Sequence, residues 1–92
     1  MTEPKFTPGP WEMAYQDQHG QLIVRGKHIE VATCWHHSVG AIEKEMHANA
    51  HLIAAAPELY EALEYVMTAH GEQLSDAFEK AQAALAKARG EG

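Results

Sequence analysis

The sequence has one cysteine, Cys34, and no apolar run longer than the five residues from Leu52 to Ala56. A single cysteine excludes an internal disulfide framework and fits a reducing compartment. Five apolar residues fall far short of the roughly 20 that a membrane-crossing helix needs, so no membrane contact is expected. Basic side chains are scarce as well. Lys+Arg is 7 against 13 Asp+Glu, a formal net charge of -6 with histidine neutral. Duplex nucleic acid is bound through a basic face, and a chain this acidic is not expected to bind it. Large apolar side chains are also few. Alanine supplies 16 of the hydrophobic residues, leaving six Leu, four Ile, four Val, four Met and seven aromatics. With 92 residues the chain is expected to be one small domain, 1–92. A domain of this size buries only about two thirds of its unfolded surface, which makes a lone copy marginal and self-association an expectation. Glu3 and Lys5, followed by Pro8 and Pro10, do not read as a secretory signal, and a cytoplasmic location is expected.

What is present divides the chain into three stretches. Residues 1–10 read as an extended lead-in, because the two prolines of Thr7-Pro8-Gly9-Pro10 fix φ and remove backbone donors. Residues 11–35 read as a meander of three short antiparallel strands. Trp11 to Tyr15 forms the first, Asp17-Gln18-His19-Gly20 turns, and Gln21 to Arg25 with its Leu22-Ile23-Val24 run forms the second. Gly26-Lys27 turns again, and His28 to Trp35 alternates with period two. Its mostly apolar side carries Ile29, Val31, Thr33 and Trp35, and its more polar side His28, Glu30, Ala32 and Cys34.

From about residue 40 to 90 the period becomes helical. Ile42, Met46, Asn49, Ile53 and Ala56 mark one face, with Gly40 or Ser38 as cap and Glu43 in the first turn. Pro57 opens a second helix or kinks the first; Leu59, Leu63, Val66 and Met67 give its buried side, and Gly71 its stop. Leu74, Phe78, Ala81 and Leu85 give a third helix, with Lys87 and Arg89 in its last turn and Gly90 beyond. Strands followed by helices predict an α+β fold: a three-stranded antiparallel β-meander and then two or three C-terminal α-helices. The Ala-rich last helix is the expected contact in a homo-oligomer.

Two stretches are familiar. Phe6-Thr7-Pro8-Gly9-Pro10-Trp11 resembles the HTPGPW opening of a widespread group of small phage and prophage proteins. The run from His47 to Leu63, HANAHLIAAAPELYEAL, is similar to that group's EANARLIAAAPELLEAL segment, and the ending Ala84-Leu85-Ala86-Lys87-Ala88-Arg89-Gly90 fits it too. Phe6 stands where the group usually has His, and His47 and His51 replace what are often Glu and Arg. The resemblance implies a phage accessory protein made inside the infected bacterial host. The group carries no catalytic signature, so an enzyme is not expected. Many small oligomeric phage proteins counter host defence, one mode being sequestration of a nucleotide immune signal. That mode gives the expected function: binding of a cyclic dinucleotide or a cyclised or modified ADP-ribose, without catalysis or cofactor. The alternative is a protein–protein module that inhibits a host protein.

Candidate ligand-binding residues follow from side-chain chemistry. Arg25, Lys27 and His28 cluster at the second turn and suit a phosphate, against the plainer reading of a polar hairpin. Trp35 offers a face for base stacking and His36-His37 a hydrogen-bonding rim, against an exposed loop. Trp11 suits stacking, against a core anchor that pins the lead-in. Asn49, on the apolar stripe, would be a buried amide aimed at backbone or at a ligand. Pockets near subunit interfaces are expected, where a small chain encloses what it cannot enclose alone. No metal site is expected: Glu43, His47 and His51 share a helical face, but Ala48 stands where a zinc helix has its glutamate. Cys34 and Ser38 have no assigned base, which leaves no catalytic residue to name.

Overall fold

The structure is a computed structural model that describes residues 4–16, 21–34 and 41–91. Three strands, β1 (Glu12–Gln16), β2 (Gln21–Arg25) and β3 (Glu30–Cys34), form one antiparallel sheet in sequence order. Three helices follow: α1 (Ala41–Ala54), α2 (Ala56–Thr68) and α3 (Gln73–Ala88). The α+β arrangement read from the sequence is the one observed. The Asp17–Gly20 turn, Trp35 and the proposed caps Ser38 and Gly40 lie outside the described residues, as do the side chains of Ile42 and Glu43.

Pleating sets the core. Leu22 and Val24 on β2 face inward and are fully buried, and the register places Cys34 beside Leu22 and both Ala32 and Met13 beside Val24. Helix α1 covers this face with Met46, Ala50 and Ala54, and Trp11, Met13 and Ile53 close the margins. The packing face of β3 is therefore the small one, Ala32 and Cys34, and not the side bearing Ile29, Val31 and Thr33. Leu22 and Val24 already fill the space under α1, and only small neighbours fit next to them. Between Val24 and Arg25 the β2–β3 register shifts: Val24 pairs with Ala32, but Arg25 pairs with Glu30. Val31 is the extra residue of a bulge, which brings Arg25 and Glu30 opposite each other.

The helix boundary at Pro57 is a break. Helix α1 ends at Ala54, and the N–H of Ala55 is shared between the carbonyls of His51 and Leu52 at 3.1 and 3.2 Å. Helix α2 then begins with Pro57 in its first turn, where the missing N–H costs nothing. Helix α3 stops in a Schellman motif. Gly90 donates to the Lys87 carbonyl at 3.0 Å and Glu91 to that of Ala86 at 2.8 Å, with Gly90 at φ +81°. Its bare Cα also lets α3 close on the His51 ring of α1: a Cβ there would stand 2.9 Å from that ring.

The buried sides of α2 and α3 differ from the expected ones. Ala62, Ala77 and Ala84 are buried, whereas Leu63 is 63% exposed, Met67 79% and Phe78 56%, with Leu74 and Leu85 exposed as well. Alanines let the two helices approach closely, and that close approach leaves no room between them for the larger side chains.

The lead-in is held onto the helices. The Trp11 indole donates to the Thr7 carbonyl at 3.0 Å, and Phe6 meets the edges of Trp11 and Tyr60 at centroid distances of 6.2 and 5.0 Å. Gly9 lies against Pro57, so close that a Cβ would sit 2.7 Å from the proline Cβ. From α3, the Lys87 ammonium donates to the Trp11 carbonyl at 3.2 Å and to Glu58 Oε2 at 2.9 Å. Glu58 Oε1 is buried with no hydrogen-bond partner among the described residues. Replacing Lys87 leaves this carboxylate alone. Lys87→Met is expected to cost about 1–2 kcal/mol, read as a lower urea midpoint with unchanged slope.

Candidate functional site

The β2–β3 turn is tight. The N–H of Gly26 donates to the Ile29 carbonyl at 2.9 Å, which leaves Lys27 and His28 at the exposed tip. Arg25, at the end of β2, has Glu12 of β1 as its partner on one side and Glu30 of β3 on the other. These residues line one concavity of roughly 680 Å³, with Ile23 and Ile29 as its apolar part. A smaller hollow of roughly 300 Å³ adjoins it, made by Gly9 and Pro10 of the lead-in and sharing Glu12, Arg25, Gly26 and Lys27. Among the described residues the ion pairs are Lys87 with Glu58 and Arg89 with Glu91, so neither Arg25 nor Lys27 is taken up by one. Glu30 is partly committed, since Oε1 accepts the Thr33 hydroxyl at 2.7 Å.

Such a surface has both signs within reach of one ligand. The guanidinium and ammonium suit phosphate oxygens, and the two carboxylates suit hydroxyl or amino donors. Three of the residues singled out from the sequence, Arg25, Lys27 and His28, thus come together. Glu12 and Glu30 were missed. Their signal was strand register, and the bulge that brings Glu30 opposite Arg25 is silent in composition.

The other candidates separate. Trp35, His36 and His37 lie outside the described residues. Trp11 is half-buried, with its indole N–H committed to Thr7 and its ring packed on the core, which is the anchoring role. Asn49 is exposed, contrary to the buried amide expected. The apolar stripe of α1 runs through Met46, Ala50, Ile53 and Ala54, which places Asn49 on its flank. There it lines a shallow depression with Cys34, Met46, Leu52 and Ile53. Burial pushes the Cys34 thiol above its ordinary pKa.

A further groove of roughly 830 Å³ runs between α2 and α3, floored by Ala62, Ala83 and Ala84 and rimmed by Glu61, Tyr65, Lys80 and Lys87. The Tyr65 hydroxyl donates to Asp76 at 2.9 Å, which raises its pKa, and Lys80 stands 5.7 Å from the Tyr65 ring centre. None of the sequence candidates lines it. Among the described residues no three His, Cys, Asp or Glu side chains gather as a metal site requires, and His51 packs under Gly90. No described helix is long and apolar enough to cross a membrane.

The chain is a small phage protein by descent. It matches over residues 1–92, and belongs to, the family described as Salmonella phage P22 protein Y8K6. No curated protein and no solved structure matches it.

Two outcomes test these placements. Asn49→Ala is expected to shift stability by less than about 0.5 kcal/mol in a thermal melt, because an exposed amide without a buried partner has little to lose. Cys34 is expected to react more slowly with iodoacetamide at neutral pH in the folded chain than in urea, since burial and a raised pKa both deplete the thiolate.

Proposed function

We propose that this phage protein binds and sequesters a nucleotide-derived immune signal of the bacterial host, without turning it over. The signal class is a cyclic dinucleotide or a cyclised or modified ADP-ribose, captured inside the infected cell. One observation carries the reading: Arg25, Lys27 and His28 line a single concavity with Glu12 and Glu30. Its volume of roughly 680 Å³ falls within the range that small-molecule sites occupy. Lys27 and Arg25 meet the phosphates, and Glu12 and the open oxygen of Glu30 accept from ribose hydroxyls or a base amino group. Ile23 and Ile29 supply apolar contact. Stoichiometric burial then lowers the free signal by mass action alone.

Inhibition of a host protein is the second reading, and it draws on the exposed apolar residues of α2 and α3. That surface names no partner chemistry, whereas the mixed-charge concavity suits a phosphorylated ligand with donor groups.

Native mass spectrometry with a panel of cyclic dinucleotides and ADP-ribose derivatives tests the proposal. The expected result is a bound nucleotide of unchanged mass, recovered intact after heat denaturation. Arg25→Ala with Lys27→Ala removes two charged hydrogen-bond donors and is expected to weaken binding at least tenfold, as about 1.4 kcal/mol would. An empty protein across the panel, or undiminished binding by the double variant, overturns it.

A further inference from the structure

Helices α2 and α3 form an antiparallel hairpin with two unlike faces. At about 100° per residue, Leu63 and Met67 fall roughly opposite Tyr65, which lines the polar groove. On α3, Leu74, Phe78 and Leu85 form one stripe that faces well away from the groove residue Lys80. The hairpin therefore carries its groove on one face and its large apolar side chains on the other. We propose that a second copy of this chain docks on the apolar face, hairpin against hairpin, to make a four-helix dimer core.

Surface area leaves room for an interface. The chain exposes 6799 Å², whereas a compact monomer of its 10.2 kDa mass exposes about 5300 Å². A standard interface takes about 800 Å² from each partner, so the excess accommodates one. Shape agrees. The chain spans 49 × 27 × 14 Å with a radius of gyration of 15.2 Å, against about 12 Å for a compact domain of this length. Its thin dimension is too small to hold a second layer over every apolar face.

Symmetry favours self-docking. A two-fold axis through the stripe sets each hairpin on its own image, so one apolar face serves both partners. The stripe on α3 is flanked by Ser75, Ala81, Gln82 and Ala88, with no charge before Arg89, and on α2 Glu64 is the carboxylate at the edge of the Leu63–Met67 stripe, so little of the net charge of -6 falls across the seam. A second copy is also present from the moment of synthesis, which a surface this apolar requires. The assembly does not depend on the ligand reading, because no residue of β2, β3 or their turn lies on this face.

Sedimentation of the full chain decides the matter. The wild type is expected at twice its 10.2 kDa mass at tens of micromolar. Phe78→Glu is expected to weaken the dimer at least tenfold and bring the mass toward that of one chain, with helical circular dichroism retained. Lys80→Glu, on the groove side, is expected to leave the mass unchanged. Should Phe78→Glu unfold the chain, Met67→Lys serves as the disrupting variant, at a position 79% exposed. A wild type at the mass of one chain overturns the proposal, and so does a disrupting variant that stays folded and dimeric. A single chain that gains mass only with an added host protein overturns it too, and assigns the face to that protein. Ligand binding, read separately by native mass spectrometry, stands or falls on its own.

Discussion

The Lys87 ammonium joins three parts of the chain that share no secondary structure. It reaches from the last turn of α3 to the Trp11 carbonyl of the lead-in and to the Glu58 carboxylate in the first turn of α2. The lead-in has no ladder of its own to hold it, so its backbone polar groups need partners from elsewhere. Lys87 supplies one, the Trp11 indole caps Thr7, and Phe6 fills the angle between Trp11 and Tyr60. The pair itself is about a third exposed, so its Coulomb attraction is modest. Its importance is geometric: without it, Glu58 keeps one buried oxygen unpartnered and loses the partner of the other. The three stretches that carry the phage resemblance, Phe6–Trp11, the Pro57–Leu63 part of the second and the C-terminal Ala84–Gly90, are the ones that meet here.

Side-chain size then divides the rest of the molecule. Where the helices touch each other and the lead-in, many of the contacts are made by alanines and by the bare Cα of Gly9 and Gly90. Among the described residues, only Leu22 and Val24 are large and fully buried. This economy of volume follows from the composition, in which alanine outnumbers leucine by 16 to six. Small interior residues draw α2 and α3 together, and the same closeness turns Leu63, Met67, Leu74, Phe78 and Leu85 outward. The apolar hairpin face is thus a consequence of the way the chain packs internally.

Element type and order were legible from the sequence because period two, period 3.6 and the positions of proline and glycine are local signals. Which face of each helix is inner was less so. The periodicity of Leu59, Leu63, Val66 and Met67 is real, but it marks an apolar stripe without saying whether that stripe meets this chain or another. Asn49 shows the same gap on α1. It sits beside the stripe of Met46, Ala50 and Ile53, and a shift of about 100° around the axis moves it from interior to surface. Strand β3 was legible as a strand, but which of its faces packs was not, since its larger side chains point away from a core already filled from β2.

The turn shows what one non-local feature does to chemistry. Read along the chain, Arg25, Lys27 and His28 are a basic cluster in an acidic protein. Read across the sheet, Arg25 has Glu12 on one side and Glu30 on the other, the second because the bulge at Val31 shifts the pairing by one residue. A regular ladder would set Arg25 opposite Val31 instead, leaving Glu12 as the carboxylate paired with Arg25. A purely basic hollow selects for anionic charge and accepts phosphate or polyanion alike. Adding carboxylates penalises a bare polyanion through like-charge repulsion and favours a ligand whose phosphates lie beside hydroxyl or amino donors. On the proposed reading, the bulge adds Glu30 to Glu12 and so favours a ligand with donor groups beside its phosphates, through backbone register alone.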